Sequence, residues 1–182
     1  MKFDPITIKD KTGVEILLRN AQLADAKDLI SYLDKTAEET PYTLREPGEV
    51  KLSIEEEEKI IQQKNDSKTE LMLVAYDGEK HVGNCTLMAL GKGSKLQHRC
   101  SVAIALYKEY WRRGIGKTMM TTVIDLAKRI GYEQMELDVI CENKKAIALY
   151  ESLGFEKCGS IPHCLKFKDG TYADSYMMVR KL

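Results

Sequence analysis

The segment Tyr110-Trp111-Arg112-Arg113-Gly114-Ile115-Gly116-Lys117 has the residue types and spacing of an anion site. It lies where an apolar, strand-like run ends and an amphipathic helical stretch begins. Glycines let a backbone approach a ligand closely, and the first N–H groups of a helix point outward unsatisfied. Those amides, the helix dipole and the side chains of Arg112, Arg113 and Lys117 together suit a pyrophosphate. Two other phosphate motifs fail on spacing. A Walker A loop needs glycine five residues before its Gly-Lys-Thr; Gly116-Lys117-Thr118 matches the end, but Trp111 holds that place. A G-x-G-x-x-G fingerprint needs a third glycine where Met119 stands. On this segment alone, the alternative is an ordinary helix start that holds two glycines.

A second informative run is Asn143-Lys144-Lys145-Ala146-Ile147-Ala148-Leu149-Tyr150-Glu151-Ser152-Leu153-Gly154-Phe155. Asn143 is placed to cap a short helix and Gly154 to stop it. Tyr150 shares a helix face with Ala146 and Leu153, so a core aromatic is one reading of it.

These segments need elements to position them. A first strand is expected over 14–18, then a helix in which Leu23, Ala26, Leu29, Ile30 and Leu33 recur at spacings of three and four. Residues 36–52 carry Pro41, Pro47 and Gly48 and read as an irregular connection. Ser53-Ile54-Glu55-Glu56 has the form of a capping box and opens a second helix. Strands are expected over 71–76 and 82–90, with Asp77-Gly78 as turn chemistry, and over 99–106. Ile115, Met119, Val123, Leu126 and Ile130 make one helical stripe. A strand over 135–140, a helix over 143–153 and two closing strands over 155–167 and 172–180 complete the order β-α-α-β-β-β-α-β-α-β-β. The expectation is one mixed α/β domain over residues 1–182, about seven strands in a central twisted sheet with about four helices.

The whole chain narrows the function classes. Its 182 residues fit one domain, and 43% hydrophobic with 31% charged residues is a soluble, cored composition. Twenty-eight basic residues offset twenty-eight acidic ones, which gives no electrostatic reason for nucleic acid or a membrane surface as partner. No apolar run approaches the roughly 20 residues of a membrane span, and the start lacks the apolar core of a secretory signal. A cytoplasmic location is expected. Cys85, Cys100, Cys141, Cys158 and Cys164 are odd in number and hold no C-x-x-C pair. That pattern favours neither a disulfide framework nor a metal site, and most read as buried small hydrophobes.

Taken together, the two runs resemble the GNAT superfamily of N-acetyltransferases. That superfamily binds acyl-coenzyme A at a strand–loop–helix of form Gln/Arg-x-x-Gly-x-Gly/Ala, which Trp111 to Gly116 matches except at the first position. The run from Asn143 to Phe155 is similar to its N-x-x-A-i-x-l-Y-e-x-x-G-F pattern. The resemblance covers residues 70–180 well and the first 60 only by element order. It implies the GNAT fold, acetyl-CoA as acetyl donor, no metal, and backbone amides of Arg112, Arg113, Gly114, Ile115, Gly116 and Lys117 on the pyrophosphate. It further implies a backbone N–H near Val102 to Ile104 on the thioester carbonyl, Asn143 on the coenzyme arm, and Tyr150 as proton donor to the departing thiolate.

The amine must lose a proton before attack, since a primary ammonium has a pKa near ~10. The strand over 99–106 contains no acid; Glu38, Glu39, Glu136, Asp138, His98 and His163 remain candidates and none is assigned. Cys100 and Cys141 have no evident base partner, so direct attack by the amine is preferred to a cysteine nucleophile. Acids outnumber bases over residues 35–58, but Glu55, Glu56, Glu57 and Glu58 cannot share one helix face, and a solvated face is the plainer reading. The stretch 166–178 resembles members that acetylate ribosomal-protein N-termini or small-molecule amines, so either acceptor is expected. A homodimer is compatible with the resemblance. The alternative from another class is a non-catalytic coenzyme A-binding sensor or interaction module; a nucleotide-binding protein is weaker, given the two failed motifs.

Overall fold

The computed structural model describes residues 1–91 and 93–182. Its strands are β1 (Ile6–Lys9), β2 (Glu15–Asn20), β3 (Leu71–Asp77), β4 (Lys80–Ala89), β5 (Arg99–Leu106), β6 (Gln134–Ile140), β7 (Glu156–Lys166) and β8 (Tyr172–Lys181). Its helices are α1 (Ala26–Glu39), α2 (Ile54–Asp66), α3 (Ile115–Arg129) and α4 (Lys144–Ser152). This is the expected mixed α/β order with one strand added at the front. β1 escapes the hydrophobic pattern because it has four residues and buries none of them. It is held by its ladder with β2, from Ile6↔Leu18 to Lys9↔Glu15. The connecting turn is built by Asp10, whose Oδ1 accepts the N–H groups of Thr12 and Val14 at 2.8 and 3.0 Å. Gly13 supplies the positive φ of 86° that the turn requires.

The chain forms two compact units, Met1–Met88 with Ala103–Val123, and Ala89–Val102 with Ile124–Leu182. In the first, β1 to β4 form antiparallel pairs. One hydrophobic cluster joins α1 and α2 to β3 through Ala26, Leu29, Ile61, Met72, Val74 and Tyr76. α1 buries Ala26, Leu29, Tyr32 and Thr36, a helical stripe against the core. α2 opens on the expected capping box, Ser53 and Glu56 exchanging hydrogen bonds of 3.2 and 2.8 Å.

In the second unit the start of β5 pairs in parallel with β6, from Arg99↔Gln134 to Ser101↔Glu136. β6 pairs antiparallel with β8, and β8 with β7. β5 is common to both units, and the hydrogen-bonded strand order runs β1-β2-β3-β4-β5-β6-β8-β7. β7 therefore ends that order, and most of its residues are exposed. That position corrects the expectation for the cysteines. Cys85 and Cys100 are buried, but Cys158 on β7 is exposed, and Cys141 and Cys164 are only half-buried.

Candidate functional site

The loop between β5 and α3 starts with a short 3-10 turn, Lys108–Tyr110, anchored by the buried Tyr110. Trp111 Nε1 donates to the Leu106 carbonyl at 2.8 Å, which turns the indole back toward the strand end. The backbone then alternates in hand: Arg112 has φ 64° and Gly114 φ 88°. Alternation of this kind gathers successive N–H groups into a concave anion cradle. α3 begins at Ile115, fully buried, and the Gly114 carbonyl accepts the Thr118 N–H at 3.1 Å. The cradle and the helix N-terminus are thus contiguous, and both favour an anion.

The side chains of the loop divide differently from the sequence expectation. Arg113 is not available to a phosphate: its guanidinium is paired with Asp10 and lies 4.7 Å from the centre of the Tyr110 ring. Burial opposes charge on Asp10, yet its bonds from Thr12, Arg113 and the Thr12 and Val14 N–H groups hold its carboxyl down at about 2. The Lys11 N–H donates to the Arg113 carbonyl at 2.9 Å, fixing the β1–β2 turn to the loop. Arg112 and Lys117 are exposed and form no ion pair among the described residues. Those two are the loop cations left facing solvent.

β5 supplies Val102, which is buried and follows the last residue paired with β6, and Ile104, which is half-buried. Farther along, the Tyr32 hydroxyl donates to the Ala105 carbonyl at 2.9 Å and receives the Asn84 N–H. A Cβ on Gly83, whose φ is 154°, would lie 2.4 Å from that same carbonyl, so only glycine fits. Next to this contact His81 is buried edge-on among Tyr32, Tyr76 and Tyr107.

In the second unit Asn143 caps α4, its Oδ1 accepting the Ala146 N–H at 3.2 Å. Tyr150 is buried on α4 with its ring 6.0 Å from Phe155. The candidate bases are mostly engaged. Glu136 takes Arg99 Nε and Nη2 at 2.5 and 2.8 Å and Gln134 Nε2 at 2.8 Å. Arg99 thereby holds that carboxyl below its usual range, which makes it a poor proton acceptor. Glu38 pairs with Lys35, and Glu39 accepts the Lys108 N–H. His163 stacks on Tyr172 at a break in the β7–β8 register. Asp138 is exposed and His98 half-buried. Burial pushes the Cys100 thiol up to about 12, so it carries no useful thiolate near neutrality.

Sequence reasoning missed three residues. Asp10 and Lys11 lie in a hairpin with no hydrophobic signal, although Asp10-Lys11-Thr12-Gly13 is turn chemistry. Glu57 was grouped with its neighbours as a solvated face, yet it is 4% exposed while Glu55 and Glu56 are exposed. It shares the inward face of α2 with Ile61, one turn on. Its carboxylate accepts no hydrogen bond among the described residues. Burial raises its pKa, opposed only by Arg45 in the α1–α2 connection. A buried carboxylate so weakly compensated is costly, and groups with shifted pKa values concentrate at functional sites.

Comparison with known proteins follows the same lines. Residues 32–155 match the model of the acetyltransferase (GNAT) family. The N-alpha-acetyltransferase of Saccharolobus solfataricus is 38% identical over 85 residues, 44% of this chain and 47% of that protein. The chain spans between 26% and 47% of the length of the first curated relatives it matches. A GNAT-family acetyltransferase from Streptococcus pneumoniae superposes with TM-score 0.87 at 26% identity, over 92% of this chain and 99% of that one. The yncA protein of Salmonella typhimurium, solved with its cofactor acetyl-CoA, shares the fold with TM-score 0.80 at 18% identity, over 92% and 94% of the two chains.

Proposed function

Because the chain belongs to the acetyltransferase (GNAT) family, we propose that it is an acetyl-CoA-dependent N-acetyltransferase acting on a primary amine by direct attack on the thioester. The observation that carries this reading is the alternating backbone at Arg112 and Gly114 opening onto the N-terminus of α3. The residues present fit a pyrophosphate: a cradle of N–H groups, a helix dipole, and two cations, Arg112 and Lys117, that form no ion pair among the described residues.

In this reading the amides of residues 112–117 hold the coenzyme, and Asn143 adds a contact to its arm besides capping α4. A backbone N–H near Val102 to Ile104 meets the thioester oxygen, on which negative charge develops as the amine nitrogen bonds to the acetyl carbon. The carbon–sulfur bond then breaks, and Tyr150 gives the departing sulfur a proton. The amine's own proton leaves to a base that we do not assign.

The acceptor class follows from Glu57. A cationic amine, from a small molecule or a protein N-terminus, matches a buried carboxylate that accepts no hydrogen bond among the described residues and is opposed only by the charge of Arg45. The name of the Saccharolobus relative, an N-alpha-acetyltransferase, makes a free protein N-terminus one arm of the test. Free-thiol release from acetyl-CoA is to be followed across polyamines, aminoglycosides, amino acids and peptides with free N-termini. Release with one class establishes transfer and names the acceptor. Binding of acetyl-CoA with no release from any class, proteins included, would replace this reading by the non-catalytic module.

A further inference from the structure

We propose that the β1–β2 turn is a wall of the coenzyme site and that Lys11, at its tip, binds a phosphate of the coenzyme's nucleotide end. The inference rests on residues 112–117 being the phosphate loop. It adds to that loop a residue a hundred positions away in sequence, from a hairpin that carries no motif.

Three contacts place Lys11 there. Its N–H donates to the Arg113 carbonyl at 2.9 Å. The neighbouring Asp10 is ion-paired with Arg113. Its stem lies along Gly114: a Cβ on that glycine would be 3.4 Å from Lys11 Cγ, 3.6 Å from Cε and 3.8 Å from Cδ. The ammonium is one bond beyond Cε and so lies close to the loop at Gly114. Lys11 is exposed and makes no ion pair among the described residues. Asp10, the acid beside it, is fully occupied by Thr12, Val14 and Arg113.

The exchange of partners has an electrostatic consequence. Asp10 neutralises Arg113 and holds it on Tyr110 as a tie between turn and loop. Three cations with no ion pair among the described residues, Lys11, Arg112 and Lys117, then attend one backbone cradle at a helix N-terminus. Such a grouping repels itself and is relieved by an anion of more than one charge. An ammonium on a flexible stem suits a phosphate as a mobile point charge with three donors.

The test is calorimetric binding of coenzyme A, 3′-dephospho-coenzyme A and pantetheine to the wild-type chain, Lys11→Met and Lys11→Arg. Lys11→Met should weaken coenzyme A about five- to tenfold, Lys11→Arg no more than about twofold, and pantetheine should bind all three alike. Weakening confined to coenzyme A assigns Lys11 to the 3′-phosphate; equal weakening of the dephospho form assigns it to the pyrophosphate. Lys11→Met binding coenzyme A as the wild type does, or losing pantetheine equally, overturns the proposal. Arg112→Glu is read separately: if it leaves coenzyme A affinity unchanged, the loop reading beneath the proposal fails instead. Lys11 is exposed, so an unchanged melting temperature is expected and excludes misfolding.

Discussion

Replacing His81 by phenylalanine removes a buried imidazole from the first unit while keeping an aromatic ring in its place. The imidazole is 5% exposed, with ring centroids of Tyr32, Tyr76 and Tyr107 at 5.1, 5.4 and 5.9 Å. Neither ring nitrogen makes a hydrogen bond of normal geometry among the described residues. Burial pushes the group down from 6.5 to about 4; the charges of Asp28 and Asp25 and the Gly83 carbonyl favour the proton, and Arg19 opposes it. His81 is thus neutral in the folded protein, whereas the unfolded chain takes up a proton below about pH 6.5. Its contribution is complete above that pH and is lost progressively as pH falls toward 4. A difference of about 2.5 pKa units corresponds to about 3 kcal/mol. Urea unfolding at about pH 7.5 and about pH 4 measures it: wild type should lose about 3 kcal/mol more than His81→Phe between the two. A stability gap between the two proteins that stays constant within ~0.5 kcal/mol at both pH values would refute the buried, unprotonated imidazole.

Further substitutions test the site itself. Tyr150→Phe keeps the contact with Phe155 and should lower kcat by about 10²- to 10⁴-fold with acetyl-CoA affinity unchanged; wild-type turnover would remove Tyr150 from the chemistry. Gly114→Ala must hold an L side chain at φ 88° against Lys11, and a loss of about 1–2 kcal/mol is expected in urea unfolding. Gly116→Ala, inside α3 and not at positive φ, should show no such loss; equal costs would contradict the backbone assignment. Glu57→Gln removes a carboxylate whose pKa is raised by burial. The folded state holds that proton more tightly, so the wild-type penalty grows as pH rises above the ordinary glutamate range. The variant should therefore melt higher than wild type at pH 8 and alike at pH 4, while KM for a cationic amine rises. An unchanged KM would separate Glu57 from the acceptor.

Features set by neighbours three or four residues apart were legible in the sequence. The Ser53–Glu56 capping box and the Asn143 cap are satisfied within one helical turn, so residue type and spacing specify them. The order of the elements from β2 onward followed the hydrophobic period in the same way. β1 did not, because an edge strand of four residues buries no face and leaves no pattern. β7 shows the converse: its apolar and cysteine residues suggested burial, but at the end of the strand order Cys158 and Ile161 are exposed and Cys164 and Leu165 only half-buried.

By itself, then, the sequence determined the strand–loop–helix at Arg112, Gly114 and Lys117, the capped helix carrying Tyr150, and with them the family. Tertiary structure decided which of the charges act. The sequence reading gave the Arg113 side chain to a phosphate, and the fold instead joins it to Asp10, 103 positions away. Four consecutive glutamates are equivalent in composition, and only the packing of α2 turned Glu57 inward beside Ile61. His81 became a buried base because three tyrosines from α1, β3 and the end of β5 enclosed it. Caps and turns are written in local hydrogen bonds. Pairing and desolvation of a charge depend on whatever the rest of the chain brings against it.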